Sequence, residues 1–279
     1  MPEPILTVLS YSAGTQSHAL LEMVLRGLLP RPKAFIVLNA NPGMENSASL
    51  ELVEKSATRC AEAGIPFITA EGPNLYSDLL NNAKMSRLDN PPYWTKNRTT
   101  GKRGRLSQGC TQEYKIAPMR RALRLYLHRT FGVSLETRRP PNVEMWIGFT
   151  EDETKRIKPC DVKYVTFRYP LIELGYNKEK LAGFYLQHSL ETPARSVCNA
   201  CFSNGLAFFE DMYWNRDADW EQAVAVDESV RDLRHLGITD EVFVSGALVP
   251  LKDLPKLSFL KDDQNKYKEH RCNSGVCFL

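Results

Sequence analysis

The 279-residue sequence has no long hydrophobic run, and nothing in it approaches the roughly 18 consecutive apolar residues of a membrane-spanning helix. The opening MPEPILTVLS lacks a basic segment followed by a long apolar one, so no secretory leader is read and a cytoplasmic location is expected. Charge of one sign is scarce too: 36 Lys and Arg against 33 Asp and Glu leave a formal net charge of +3, too little to argue for nucleic acid by itself. There is no internal repeat, no Gly-Lys-Ser/Thr of a Walker loop and no G-x-G-x-x-G fingerprint, which sets aside the commonest phosphate-binding signatures. What remains is an ordinary globular composition, 43% apolar and 25% charged, in a chain long enough for one large α/β domain or a core domain with an appendage.

Three β-like runs, at 5–11, 34–40 and 66–71, are separated by helical patterns at 18–29 and 49–64. This alternation predicts βαβ units and a parallel sheet of about five strands flanked by helices. After Leu80 the pattern lapses into polar sequence with proline and glycine, longer than a structureless connection in a compact domain should be. Within this basic loop, 82–115, and just beyond it lie Lys96, Arg98, Lys102, Arg103, Arg105, Lys115, Arg120 and Arg121, opposed only by Glu113. A helix at 117–130, a strand at 143–149, a helix near 178–189 and a mostly helical 206–235 follow. The expected organisation is an α/β nucleotide-binding domain over 1–175 and a mainly helical, cysteine-bearing region over 176–279.

Two stretches carry chemistry. The first strand delivers SYSAGTQS (10–17) to the start of a helix, gathering backbone N–H groups and hydroxyls where anions bind; a turn capped by Ser or Thr fits the same residues. Seven cysteines in a cytosolic chain read as thiols, metal ligands or catalytic groups rather than as a disulfide framework. Cys198 and Cys201 form a C-x-x-C, which suits a redox pair, zinc or an iron–sulfur cluster, while Cys272 and Cys277 sit near the C-terminus.

The run Ser12, Ala13, Gly14, Thr15, Gln16, Ser17 resembles the S-G-G-x-D-S loop of the PP-loop ATP pyrophosphatases, with Ala13 in place of a glycine and Gln16 in place of the aspartate. CTQEYKIAP (110–118) resembles the C-C-x-x-x-K-x-x-P segment of the sulfonucleotide reductases, with Thr111 where cluster-bearing members have a second cysteine. ANPGME (40–45), WIGFTEDETKRIKP (146–159) and RYPLIELG (168–175) extend the likeness to a PAPS-reductase-like family over most of 5–205. The resemblance implies that ATP, or PAPS or APS, is held by Ser10, Ser12, Ala13, Gly14, Thr15, Gln16 and Ser17, with the base near Leu38 and Asn41. Mg²⁺ would accompany the nucleotide, although Gln16 removes the expected acid.

The resemblance also implies a 4Fe-4S cluster on Cys110, Cys198 and Cys201 with one iron open, zinc being the alternative; Cys272 or Cys277 could add a fourth ligand. Lys115 and Arg105 would stabilise the leaving pyrophosphate, and Cys277 would be the nucleophile if the chain is a reductase. Three activities follow: a sulfurtransferase that adenylates a nucleic acid or nucleotide, a sulfonucleotide reductase, or a non-catalytic nucleotide-binding module with a structural metal. The partners expected are a nucleotide, tRNA or DNA at the basic loop, a sulfur donor or thioredoxin-like reductant, and a second copy in a homodimer. His18 is read as opening the helix after the loop, 151–153 as an acidic helix N-terminus, Trp146, Trp214 and Trp220 as core or interface, and Lys84 and Arg87 as part of the basic run.

Overall fold

The computed structural model describes residues 3–82, 91–133 and 142–257; Lys84, Arg87, Cys272 and Cys277 lie outside the described residues. The chain begins β1 (Leu6–Tyr11), α1 (Thr15–Leu25), β2 (Phe35–Ala40), α2 (Ser47–Glu62), β3 (Phe67–Ala70) and α3 (Leu75–Leu80). The basic region contributes β4 (Trp94–Lys96) and β5 (Arg103–Arg105), and a π-helical turn, Gln112–Ile116, runs into α4 (Ala117–Phe131). Then come β6 (Val143–Trp146), β7 (Val165–Arg168), α5 (Pro170–Glu173), α6 (Lys178–Gln187), α7 (Leu206–Asn215), α8 (Asp217–Ser229), β8 (Glu241–Phe243) and α9 (Leu254–Leu257).

Five strands form a parallel sheet in the order β3-β2-β1-β6-β7. Every residue of β1 is buried, as a central strand covered on both faces requires. On one face Leu9, Leu21, Trp146 and Leu181 pack together beneath α1 and α6. On the other, Val8, Leu38, Met145 and Leu123 join Met119 and Leu127, whose four-residue spacing gives α4 its apolar stripe. From β1 the chain moves outward through β2 and β3, then returns to the opposite side of β1 with β6 and β7. The direction therefore reverses between β1 and β6, and a crevice opens beyond their carboxyl ends, where open α/β sheets bind ligands.

A second sheet, antiparallel and of three strands in the order β5-β4-β8, joins the basic region to the C-terminal part. Its core, built on Tyr93, Trp94, Phe209, Val226 and Val242, also takes in the partly buried Cys110, Cys198 and Cys201. The helical stretch expected over 206–235 is broken at Arg216, whose φ of −147° is not helical, and closes before β8. No helix among the described residues is long and apolar enough to cross a membrane.

Candidate functional site

The loop between β1 and α1 lies at the reversal point of the sheet. Gly14 is the N-cap of α1 and brings no side chain, so the N–H groups of the first turn, from Thr15, Gln16 and Ser17, have no intrahelical acceptor. They form the positive end of an eleven-residue helix whose first turn carries no acid. The Ser17 hydroxyl folds the loop on itself: it donates to the Gly14 carbonyl (3.2 Å), accepts from the Ser12 N–H (3.2 Å) and stands 3.3 Å from the Ser12 hydroxyl. Ala13, at φ 57°, takes the left-handed conformation that a glycine there would adopt freely. At the end of β1 the Ser10 hydroxyl is buried without a hydrogen-bond partner.

The opposite wall comes from the chain leaving β6. Gly148 lies so close that a Cβ on it would stand 2.8 Å from the Ser17 nitrogen and 3.0 Å from the Gln16 carbonyl carbon. Beyond it Glu153, 6% exposed, accepts from the Gln16 amide at 3.1 Å, caps its own 3₁₀ turn with Thr150 and pairs with Arg156. The helix N-terminus reading of 151–153 therefore holds, and one of those acids also touches Gln16. Gly148 and Glu153 were not singled out from sequence as site residues. A glycine directly after a buried apolar strand, in the turn facing SYSAGTQS, was the available signal.

Behind the loop, His18 is held in a buried network. Its Nδ1 lies 3.2 Å from the Tyr11 hydroxyl, which is 2.6 Å from Ser56 Oγ. Burial, then the charge of Arg59, lowers the His18 pKa from 6.5 to about 4. The Glu22 carboxylate, 3.9 Å from Nε2, does not reverse this, because it is already engaged by Arg26 and Arg59. The unfolded chain binds a proton at His18 near pH 6.5 and the folded chain only near pH 4, so the contribution to stability is complete above pH 6.5 and disappears as pH falls to 4. It amounts to about 3 kcal/mol at 1.36 kcal/mol per unit. Urea unfolding at pH 7 and pH 4 should show a loss of this size, and His18→Gln should flatten it; equal slopes in both proteins would contradict the assignment.

A long-range pairing fixes the C-x-x-C turn. Glu45 and Cys198 form an antiparallel bridge, the Asn199 N–H donates to the Met44 carbonyl (2.8 Å), and the Asn46 amide donates to the carbonyls of Arg195 (3.1 Å) and Val197 (2.9 Å). This zips the C-x-x-C turn onto the segment leaving β2. A Cβ at Gly14 would stand 3.6 Å from Ser196 Cβ, so the segment entering that turn also borders the β1–α1 loop. Burial pushes the Cys198 thiol well above the ordinary range; the neighbouring charges of Glu45, Cys201 and Cys110 raise it further and Lys115 opposes them. Tyr93, fully buried, is raised by burial and then by the same three cysteines. Lys115 leaves the π-helical turn to place its ammonium 2.5 Å from Glu45 Oε1, and the other oxygen of Glu45 is buried without a partner.

Other expected residues fall elsewhere. Arg105 sits on the second sheet, over the rings of Trp94 and Phe202. Leu38 is inside β2 with its side chain in the core, whereas Asn41 lies past the strand end, exposed, and accepts from the Gly43 N–H at 2.8 Å. Trp146 is core, Trp220 is partly buried, and Trp214 is 66% exposed. Among the described residues no three His, Cys, Asp or Glu side chains gather tightly enough to hold a single metal ion.

No family model and no curated protein matches the chain. Among solved structures it is similar to the U34-tRNA thiolase NcsA from Methanococcus maripaludis with its 4Fe-4S cluster, at 13% identity over 81% of this chain and 73% of that one, with a TM-score of 0.43.

Proposed function

We propose that this chain is an ATP pyrophosphatase of the PP-loop kind that activates an oxygen of a nucleic acid or nucleotide by adenylation and replaces it with sulfur. The observation that supports the reading is the pairing of 44–46 with 197–199, which joins the C-x-x-C turn to the segment bearing Glu45, the partner of Lys115, and brings Ser196 against Gly14 at the uncapped start of α1.

In the first step the substrate oxygen attacks the α-phosphorus, and the bond to the bridging oxygen breaks with its electron pair leaving on pyrophosphate. The N–H groups at the start of α1 receive the phosphate charge, and they are fixed before the reaction by the Ser12–Ser17 and Gly14–Ser17 hydrogen bonds. Lys115 would supply a cation to the leaving pyrophosphate; Glu45 holds its ammonium and so sets its direction. In the second step sulfide adds to the activated carbon, and AMP departs with the oxygen.

Cys110 and Cys201 lie within electrostatic reach of Cys198, and three partly buried thiols gathered in this way are a donor set of the type that iron–sulfur clusters use. Cys110, Cys198 and Cys201 would hold a 4Fe-4S cluster, whose bulk lets its ligands stand farther apart than those of a single ion. When bound, it supplies the sulfur and the countercharge that those thiolates need. Mg²⁺ fits less well in the loop: Gln16 replaces the acid, and the nearby Glu153 is committed to Arg156, Thr150 and Gln16. No step is assigned to it. The same Gln16 favours a second reading, nucleotide binding without turnover.

Anaerobic purification should yield a brown protein with about four irons and four sulfides per chain. Cys198→Ala should lose that chromophore, and the wild type should release pyrophosphate from ATP only with RNA or DNA present. A colourless chain holding one zinc sinks the sulfur-transfer reading. Thioredoxin-dependent sulfite release from a sulfonucleotide would mark a reductase, and ATP binding without pyrophosphate release would mark the non-catalytic module.

A further inference from the structure

We infer that the β4–β5 hairpin is a docking arm for the phosphate backbone of an unpaired RNA loop, placed to present a base to the C-x-x-C turn. This rests on the proposed function and names the substrate class of the same site. Strand alternation and register put Trp94 and Lys96 of β4 on one face with Arg105 and Arg103 of β5. The Arg103 guanidinium lies 4.0 Å from the centroid of the Trp94 ring; that of Arg105 lies 5.3 Å from Trp94 and 5.0 Å from Phe202. The Trp94 indole N–H donates to the Phe202 carbonyl at 3.1 Å, and Phe202 directly follows Cys201. Two guanidiniums therefore rest on an aromatic floor joined to the thiol turn. The rings hold the two cations in place, and their exposed N–H groups remain to meet phosphate oxygens.

Three features separate this from an ordinary solvated basic face. Lys96 lies directly opposite Arg103 in the ladder, a like-charge pair that weakens an isolated hairpin. Lys96, Lys102, Arg103 and Arg105 are exposed, and none makes an ion pair among the described residues; Glu241 faces Lys96 across the β4–β8 ladder, while Asp232 is engaged by Arg98 and Arg234 and Asp240 by Asn97. The tip is also built: Asn97 accepts from the N–H groups of Thr99 (3.1 Å) and Thr100 (2.9 Å), and Arg98 donates to the Thr239 carbonyl at 3.1 Å. A cluster of exposed cations that outnumbers the one acid facing it in the ladder, beside a reactive site, fits a polyanion. The thiols are partly buried, out of reach of a base stacked in a duplex, so the polyanion must offer unpaired bases, as RNA loops do.

The test is fluorescence anisotropy of the full chain with a labelled RNA stem-loop, titrated from 50 to 200 mM salt. The triple variant K96A/K102A/R103A should flatten the plot of log affinity against log salt by about 2, since each single-strand phosphate that is no longer neutralised takes about 0.7 from the slope. K96A/K102A, which leaves the stacked arginines in place, should flatten it by about 1 and guards against a folding defect in the triple variant. R103K should keep the slope and lose affinity a few-fold. Fully paired RNA, duplex DNA and polyglutamate should bind at least tenfold more weakly than the stem-loop. An unchanged slope in both multiple variants, or equal binding of any of those three competitors, overturns the inference. ATP binding and pyrophosphate release are measured separately: RNA binding with the predicted slopes but no pyrophosphate release would refute the proposed enzyme alone, and turnover with unchanged slopes would refute the hairpin alone.

Discussion

Gly148→Ala is expected to lower ATP affinity by about 100-fold while the chain still folds, the effect of misplacing a binding group by about an ångström. The added methyl would stand 2.8 Å from the Ser17 nitrogen, 3.0 Å from the Gln16 carbonyl carbon and 3.1 Å from Gln16 Cβ. Two of those atoms are backbone, so no rotamer change relieves the contact. Gly148 itself cannot retreat easily, because the Ile147 N–H donates to the Arg168 carbonyl (2.9 Å) and the Phe149 N–H to the Ile147 carbonyl (2.9 Å). The β1–α1 loop is what yields, and it carries the helix N-terminus with it. Overpacking of this kind costs about 1–3 kcal/mol, within the stability of a folded domain. Calorimetric titration with ATP and a thermal melt separate the two effects. Gly183→Ala is the control: nothing lies within 4 Å of its added Cβ inside α6, so it should gain about 1 kcal/mol from helix propensity and leave ATP binding alone. Wild-type ATP affinity in Gly148→Ala would show that the loop does not bind the phosphates.

Much of this geometry was legible in the residues, and the parts that were not share a cause. Helices expected at 117–130 and 178–189 appear as Ala117–Phe131 and Lys178–Gln187, because each carries an apolar stripe long enough to fix its period. The buried runs of β1 and β2 announce themselves in the same way. β4, β5 and β8 have three residues each, too few for alternation to register, and β4 meets β8 across about 145 positions of sequence. SYSAGTQS marked the loop, whereas Gly148 was marked only as a glycine after an apolar strand, and its closure on the loop from the other side of the reversal point is a non-local fact. The thiols were legible as a pair and a singleton. What brings the C-x-x-C turn to the segment leaving β2 is backbone pairing between 44–46 and 197–199, a non-local interaction that no local pattern reveals. The stacked arginines show the same limit: sequence supplied the cations, and only register placed two of them over one indole.

That second sheet makes the largest stability prediction, at Asp227. Its carboxylate is 1% exposed, accepts from the N–H groups of Val244 (2.9 Å) and Leu251 (2.9 Å), and pairs with Arg231. Burial raises its pKa, with Arg231 and both backbone donors pulling the other way, so a hydrogen-bonded charge here is held by its partners rather than by solvent. Asp227→Ala removes the acceptor and leaves two buried N–H groups unsatisfied beside a cation, a loss of about 3–5 kcal/mol. Asp227→Asn keeps the shape and one acceptor oxygen and should cost roughly half as much. Because Val244 follows β8 directly and Arg231 also donates to the Val242 carbonyl at 2.7 Å, the damage should start where β8 meets α8 and pass to β4, its ladder partner. Hydrogen exchange should therefore rise first over 94–105 and 241–244, while β1 and β2 stay protected until global unfolding. A melting temperature within 2 °C of wild type would mean that Asp227 is not what pins β8. Uniform loss of protection would mean that the two sheets open as one cooperative unit, with the C-x-x-C turn and the hairpin locked to the β1–α1 loop rather than able to move against it.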